Sequence, residues 1–309
     1  MLTSKEDAVA LVDQRVLTVL KIEETGSFTK AANALFLTQP AVSQHVKSLE
    51  EELDIKIFDR NQKAIKLTRE GEIAVKFFRR LLSISENMGQ ALKEEKTKIA
   101  SLTIGITHTV ESTDVMEVLA EYALLQRDIS VKIISDTSEK LYRKLRNDEI
   151  DFIIMEGYME GRDLKYTTLG TDSIVLITAP DHRLASQDMV TLDQLKKENL
   201  ILRRPNSNTR QIFEHFLKDR NQRMENFNVI MEVDNIASIK DLVRRGYGVS
   251  VLSRSACADE LSKGKLAAKQ VEDLSIIRQI NIVTMPEFDH PEITEALAES
   301  FRKQPLMEN

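Results

Sequence analysis

The sequence predicts a helical, winged helix-turn-helix domain at the amino terminus, then a long linker helix and a larger α/β domain. Three observations carry this reading. Up to about residue 97 the apolar residues repeat with helical period, with one short break; beyond it, eight short β-rich runs alternate with helical stretches. A basic, turn-rich segment, DRNQK at 59–63, separates two short apolar runs directly after the third predicted helix. Charge shifts at the same boundary: residues 1–98 carry 16 Lys/Arg and 15 Asp/Glu, whereas 99–309 carry 27 against 34. The 309 residues suggest two or three compact units, and 42% hydrophobic with 30% charged residues excludes wholesale disorder.

The first helix covers RVLTVLKIEETG, with Val16 and Leu20 on one face, Glu23 and Glu24 on the other, and Gly26 suited to the left-handed residue that ends a helix. Ser27 is placed as the N-cap of FTKAANALF, whose Phe28, Ala31, Ala32 and Leu35 make a small apolar face. Thr38 caps a third helix, TQPAVSQHVKSLEEEL, with Pro40 in the first turn, where a missing N–H costs nothing. Val42, Val46, Leu49 and Leu53 fall on one buried stripe. The other side presents Gln39, Ser43, Gln44 and Lys47, short polar groups and one cation suited to base edges and phosphates. The acids Glu50, Glu51 and Glu52 come only at the far end, where they are expected to meet water. His45 lies on the same helix and would face either DNA or water.

IKIFDRNQKAIKLT then reads as a β-hairpin wing that carries Arg60, Lys63 and Lys66 beside the recognition helix. Residues 56–80 hold eight basic and three acidic groups, so the wing and the start of the next helix form a local basic run in a chain of net charge −6. From Thr68 a long helix begins. Its Ile73, Phe77, Leu81, Ile84, Met88 and Leu92 step by three or four residues, close to a coiled-coil seam, while Val75, Phe78 and Leu82 form a second apolar line able to pack on the winged domain.

In the α/β part the strand candidates are 102–107, 131–135, 151–155, 173–179, 199–203, 228–233, 248–252 and 280–285, and their alternation with helices indicates largely parallel sheets. Four strand-to-helix junctions are polar: Thr107-His108-Thr109, Ser135 to Ser138, Asn206-Ser207-Asn208-Thr209, and Asn235. Their side chains could cap their own helices or face a ligand, since helix N-termini at strand ends favour anions. Arg203 or Arg204 could add charge, although strand arginines are more often at the surface.

Other function classes find little support. The five histidines are scattered, and no HExxH, GxxxxGK[ST] or GxSxG pattern occurs, so no catalytic residue, metal site or cofactor is expected. Cys257, the single cysteine, excludes an internal disulfide framework and reads as a buried small residue. The charged start is unlike a secretory signal, and no apolar run reaches the ~20 residues of a membrane helix. A soluble, cytoplasmic protein is expected. A carrier or enzyme with a two-lobed fold is the competing class; the first lacks an export signal here and the second an acid/base constellation.

The stretch GSFTKAANALFLTQPAVSQHVKSLEEELDIKIFDRNQKAIKLTREG closely resembles the DNA-binding signature of LysR-type transcriptional regulators, through Ser27-Phe28, Ala31-Ala32, Leu35, Gln39 to Ser43, Leu49-Glu50, Leu53, Phe58, Arg60, Leu67-Thr68 and Gly71. Asp54 stands where the family usually has glycine, and Ile57 where leucine is common. The resemblance extends, more weakly, over the rest of the chain, including SNTRQIFEHFL at 207 and the 234–253 segment. It implies a winged helix-turn-helix domain (1–68), a linker and dimerisation helix (69–98) and an effector-binding domain (99–309). That last domain would be similar to type 2 periplasmic binding proteins, with lobe one at 99–169 and 276–309 and lobe two at 170–275. It further implies a DNA-binding regulator acting on double-stranded promoter DNA, with Ser27, Lys30, Gln39, Pro40, Ser43, Gln44, Lys47, Arg60, Lys63 and Lys66 at the DNA. A small, anionic effector is expected between the lobes at Thr107, His108, Thr109, Ser138, Ser207, Asn208, Thr209 and Asn235. Ile73, Phe77, Leu81, Ile84 and Met88 would join a homodimer, doubled to a homotetramer, with RNA polymerase as a further partner.

Overall fold

The computed structural model describes residues 12–59, 65–97, 100–126, 129–159, 163–274, 276–288 and 290–303. The chain divides into two compact units, one of residues 1–101 with 146–149, the other of 102–145 with 150–309.

In the first unit, α1 (Gln14–Thr25) starts at Asp13, whose carboxylate accepts from the Arg15 N–H, and stops at Gly26, where φ is 65° and the N–H returns to the Ile22 carbonyl. Only a residue without Cβ takes that conformation at little cost. Ser27 caps α2 (Phe28–Ala34) and Thr38 caps α3 (Gln39–Leu53), each by accepting a third-residue N–H, as their sequence positions require. Val42, Val46 and Leu49 are buried in one core with Val19, Ile22, Ala31, Ala32, Ile57, Phe58, Val75 and Phe78. Full burial of such a side chain stabilises by about 1.5–3 kcal/mol. Leu53 departs from the expected stripe and is exposed, because the helix ends there and Asp54, at φ 53°, turns the chain away.

The wing is short. β1 (Phe58–Asp59) pairs antiparallel with β2 (Lys66–Leu67), Phe58 opposite Leu67. Glu50 does not meet water as expected: it is buried, and one carboxylate oxygen accepts the Ile57 N–H at 2.8 Å and the Phe58 N–H at 3.3 Å, with Lys56 at 3.4 Å from the other. An acid at the end of the recognition helix thus satisfies the backbone that leads into the wing. α4 (Arg69–Thr97) comes next. At Gly71 an added Cβ would lie 2.1 Å from the Ile57 carbonyl oxygen, so glycine permits the helix to start against the wing.

The second unit is a two-lobed α/β fold. Its elements are β3 (Ala100–Thr107), α5 (His108–Glu111), α6 (Val115–Leu125), β4 (Ile129–Asp136), α7 (Ser138–Arg146), β5 (Phe152–Glu156), β6 (Lys165–Thr178), β7 (Met189–Val190), α8 (Leu192–Leu195), β8 (Asn199–Leu202), α9 (Asn208–Asp219), β9 (Asn228–Glu232), α10 (Ile236–Arg244), β10 (Ser250–Ser253), α11 (Ala258–Ser262), β11 (Ala267–Val271), β12 (Ile277–Thr284) and α12 (Pro291–Lys303). All eight expected strands form. The sheet is mixed, however, not largely parallel. Its order is β4-β3-β5-β12-β6-β11-β7, with β10 also on β6. β3 and β5 run parallel, but β12 returns from the far end of the sequence and inserts antiparallel between β5 and β6.

β6 serves both lobes. Its first part, Lys165 to Ser173, pairs with β12, and Ile174 to Thr178 pair with β10 and β11. One core gathers Ile104, Ile106, Phe152, Ile154, Ile282, Leu297 and Phe301; another gathers Ile174, Leu176, Leu200, Leu202, Phe213, Val249 and Val251.

Candidate functional site

Two places in the molecule assemble polar side chains in a way that folding does not require. The first is the outer face of α3. Gln39, Pro40, Gln44 and Lys47 are exposed and Ser43 half-buried, on the side opposite Val42, Val46 and Leu49. Gln39 donates its amide to the Ser43 hydroxyl at 2.9 Å, and Lys47 lies 3.6 Å from Glu51. Lys30 and Lys66 are exposed nearby in sequence terms, at the start of α2 and on the wing, while Ser27 is occupied as a cap. Arg60 and Lys63 lie outside the described residues. His45 faces neither DNA nor bulk water alone: its Nδ1 is 2.9 Å from the Thr18 hydroxyl, bracing α3 on α1.

Along α4, Val75 and Phe78 of the second apolar line are buried against the winged domain, whereas Leu82, the third of that line, is half-buried and outside that core. Ile73, Phe77, Leu81, Ile84, Met88 and Leu92 are instead 44–60% exposed. Six large apolar groups at helical spacing on one open stripe are a surface of the kind that marks an interface.

The second place is a recess of about 360 Å³ of free space, mouth included, within the second unit. One wall comes from the carboxyl ends of β3, β4 and β5 with the starts of α5 and α7, and the other from the turns β8–α9 and β9–α10. Of the eight residues expected to bind a ligand, it brings together Thr107, His108, Thr109, Ser138, Ser207 and Asn208. Thr209 is buried and does not line it. Asn235 does not line it either; it caps α10 by accepting from the Ser238 N–H at 2.9 Å, and Asp234 faces the recess instead. Several hydroxyls also serve their own helices: Ser207 accepts from the Arg210 N–H, and Thr107 accepts from Val110 while donating to Glu156 at 2.6 Å.

The charged groups were the less legible part. Arg203 is 3% exposed rather than on the surface: it directly follows β8, whose Leu200 and Leu202 are buried in one core and Ile201 in another. Its Nη2 is 3.9 Å from Asp234, and Nε and Nη1 have no hydrogen-bond partner among the described residues. Burial pushes its pKa down, while Asp234 and Glu156 act against that. Glu156, 1% exposed, was not singled out in the sequence. One oxygen takes the Thr107 hydroxyl; Oε1 has no hydrogen bond, although Arg278 Nη2 is 3.6 Å away. Arg278 in turn donates to Asp172, its cross-strand neighbour, which also accepts from Ser253 and the Ser255 N–H. The signal for Glu156 was an acid ending the apolar run DFIIM at a strand's carboxyl end, where α/β folds hold ligands. At Asp136 burial works against ionisation, but the Thr137 N–H and Lys140 outweigh it and hold the carboxyl below its usual range. Cys257 is fully buried, and its thiol is pushed up to about 12 by that burial, the opposite of what a nucleophile needs.

Comparison with known proteins shows the same division. Residues 14–72 match the family model described as bacterial regulatory helix-turn-helix protein, lysR family, and residues 97–305 match the LysR substrate binding domain. An uncharacterized HTH-type transcriptional regulator of Methanocaldococcus jannaschii is 30% identical over 291 residues, spanning 93% of this chain and 97% of that one. The "Probable RuBisCO transcriptional regulator" of Trieres chinensis is 28% identical over 279 residues, 88% of this chain and 90% of its own. The fold is similar to that of full-length CbnR complexed with its target DNA, at a TM-score of 0.66 and 16% identity, covering 94% of this chain and 98% of that one. Among the described residues no helix is long and apolar enough to cross a membrane, and no cluster of three or more His, Cys, Asp or Glu could hold a metal ion. The chain belongs to the LysR family of transcriptional regulators, with a helix-turn-helix and an effector-binding domain, and not to a family of enzymes.

Proposed function

We propose that this regulator binds an interrupted inverted repeat in promoter DNA and that a small effector in the recess modulates that binding or promoter activation. In this reading Gln39, Ser43, Gln44 and Lys47 read base edges in a major groove, Ser27 and Pro40 set the helix starts that face the backbone, and Lys30, Arg60, Lys63 and Lys66 contact phosphates. The observation that carries it is the α3 face: solvent-open, polar and without an acid in its first three turns, on a helix whose opposite face is buried in the core. The exposed stripe Ile73, Phe77, Leu81, Ile84 and Met88 pairs two chains into a homodimer, with a homotetramer and contact to RNA polymerase as the assembly in which it acts.

The domain limits proposed are 1–68, 69–98 and 99–309, the last with lobes at 99–169 plus 276–309 and at 170–275. The recess between these lobes takes an effector with an anionic group, near Thr107, His108, Thr109, Ser138, Ser207 and Asn208. Helix starts and a buried Arg203 with two nitrogens free of hydrogen bonds support an anionic group there. An effector changes the DNA-bound form only through a difference in affinity between lobe arrangements.

Selection from a random duplex library by the full chain tests the DNA reading. It should enrich two half-sites separated by a whole number of helical turns, about 10 bp each. Enrichment of single, unpaired sites, or of none, would refute it.

A further inference from the structure

Two buried groups of opposite sign line the same recess with bonding capacity left over. Arg203 keeps two guanidinium nitrogens without a hydrogen-bond partner, and Glu156 keeps one carboxylate oxygen without one. Both are at most 3% exposed, so neither is compensated by bulk water. Each charge there has an ion partner: Asp136 has Lys140 at 3.0 Å, Asp234 has Arg204 at 3.3 Å and Arg203 at 3.9 Å, and Glu156 has Arg278 at 3.6 Å. What Arg203 and Glu156 lack is hydrogen bonds at the atoms named. Arg278, the cation behind Glu156, already gives Nε and Nη2 to Asp172. A plain anion bound at Arg203 would leave the Glu156 oxygen without a hydrogen bond and facing a like charge. A plain cation at Glu156 would leave the two Arg203 nitrogens in the same position. Either outcome keeps a buried polar atom without a hydrogen bond, the costly case.

We infer that the effector is a zwitterionic amino acid, its carboxylate on Arg203 and its ammonium on Glu156, rather than a simple carboxylate or a phosphate. The inference rests on the recess being the effector site and names the chemistry of the molecule that fills it. Glu156 is then the residue that sets specificity: the acceptor that rejects a molecule lacking the amino group, as sites built to bond a substrate N–H reject analogues without it.

The test is calorimetry and thermal shift on the full chain with matched probes. These are the twenty amino acids, the desamino partners propionate, succinate, glutarate and 3-phenylpropanoate, the hydroxy acids lactate and malate, and inorganic phosphate. At least one amino acid should bind, and its desamino partner should bind about ten- to a hundredfold more weakly, the scale of one charge-assisted hydrogen bond. Glu156→Gln, which keeps an acceptor for Thr107, should abolish that preference, and Arg203→Gln should weaken amino acid and desamino acid alike. The wild-type comparison needs no variant to fold. Equal binding of the two partners, or tighter binding of a hydroxy acid or phosphate, overturns the zwitterion even if Arg203→Gln shows that the recess is the site. Silence of every probe overturns it as well. Amino-acid binding indifferent to both substitutions overturns the site reading along with it.

Discussion

The outer face of α3 and the recess of the α/β unit are built on opposite plans. On α3 the side chains proposed to read DNA stand in water and the supporting ones are apolar and buried behind them, so in this reading recognition costs the fold almost nothing. In the recess the groups proposed to hold the effector are themselves buried. Thr107 and Ser207 cap helices, Glu156 and Arg203 sit at most 3% exposed, and Arg278 joins the site to the paired strands β6 and β12. A DNA duplex is a large partner that comes to a surface and competes with water by many contacts. A small molecule offers few atoms, so its site must be desolvated and its partners fixed in advance. The first plan makes function separable from stability, and the second ties them together.

Substitutions can test that contrast. The largest effect is expected on the α4 stripe. Phe77→Glu puts a carboxylate from each chain into the seam, which costs several kcal/mol unless the helices separate. Sedimentation should show loss of the dimer and gel shift loss of operator binding; an unchanged mass would remove this stripe from the interface. Next comes Glu50, the acid of α3 that is built on the buried plan. Glu50→Ala leaves the Ile57 and Phe58 N–H groups without their acceptor, at roughly 1–3 kcal/mol for each. Chemical denaturation reads that loss, and an undiminished midpoint would mean that water replaces the carboxylate.

Gln44→Ala tests the open plan. It should relax discrimination at one base pair by roughly 1–3 kcal/mol while leaving the thermal midpoint unmoved. A large drop in stability would show that α3 is not built as described. Cys257 tests the buried plan through pH. Its thiol, held protonated up to about 12 in the folded chain against an ordinary 9.0, releases its proton earlier when unfolded. Between those values stability should fall as pH rises, by up to about 1.4 kcal/mol per pH unit, a slope that Cys257→Ser removes. The native thiol should also resist alkylation at neutral pH. Lys66→Ala is the smallest change, lowering affinity for specific and random DNA alike and flattening the salt slope by about one unit. Loss confined to the specific site would assign Lys66 to a base instead.

Much of the first plan is legible in the sequence, because it is written in local spacing. Ser27 and Thr38 cap the helices they precede, and Gly26 ends one. Val42, Val46 and Leu49 turn inward, which leaves Gln39, Gln44 and Lys47 facing out. Helical period alone fixes which side chains share a face. The failures within this region, Glu50 and Leu53, stand where the helix ends and a neighbouring segment decides burial.

In the α/β unit, apolar runs and polar junctions were enough to locate eight strands and to single out six polar side chains that meet in one recess. Strand pairing came only with packing. β12 enters between β5 and β6, both far earlier in the sequence, and thereby sets Arg278 against Asp172 and Glu156. Packing also covered β8, burying Arg203, and turned Asp234 rather than Asn235 toward the recess. Period-two alternation says which residues of a strand share a face but carries no information about its neighbours, since backbone hydrogen bonds are the same for every strand. Partner choice comes from how apolar faces pack in three dimensions. The charges of the recess are therefore a product of packing, whereas the outward-facing side chains of α3 are a product of helical period.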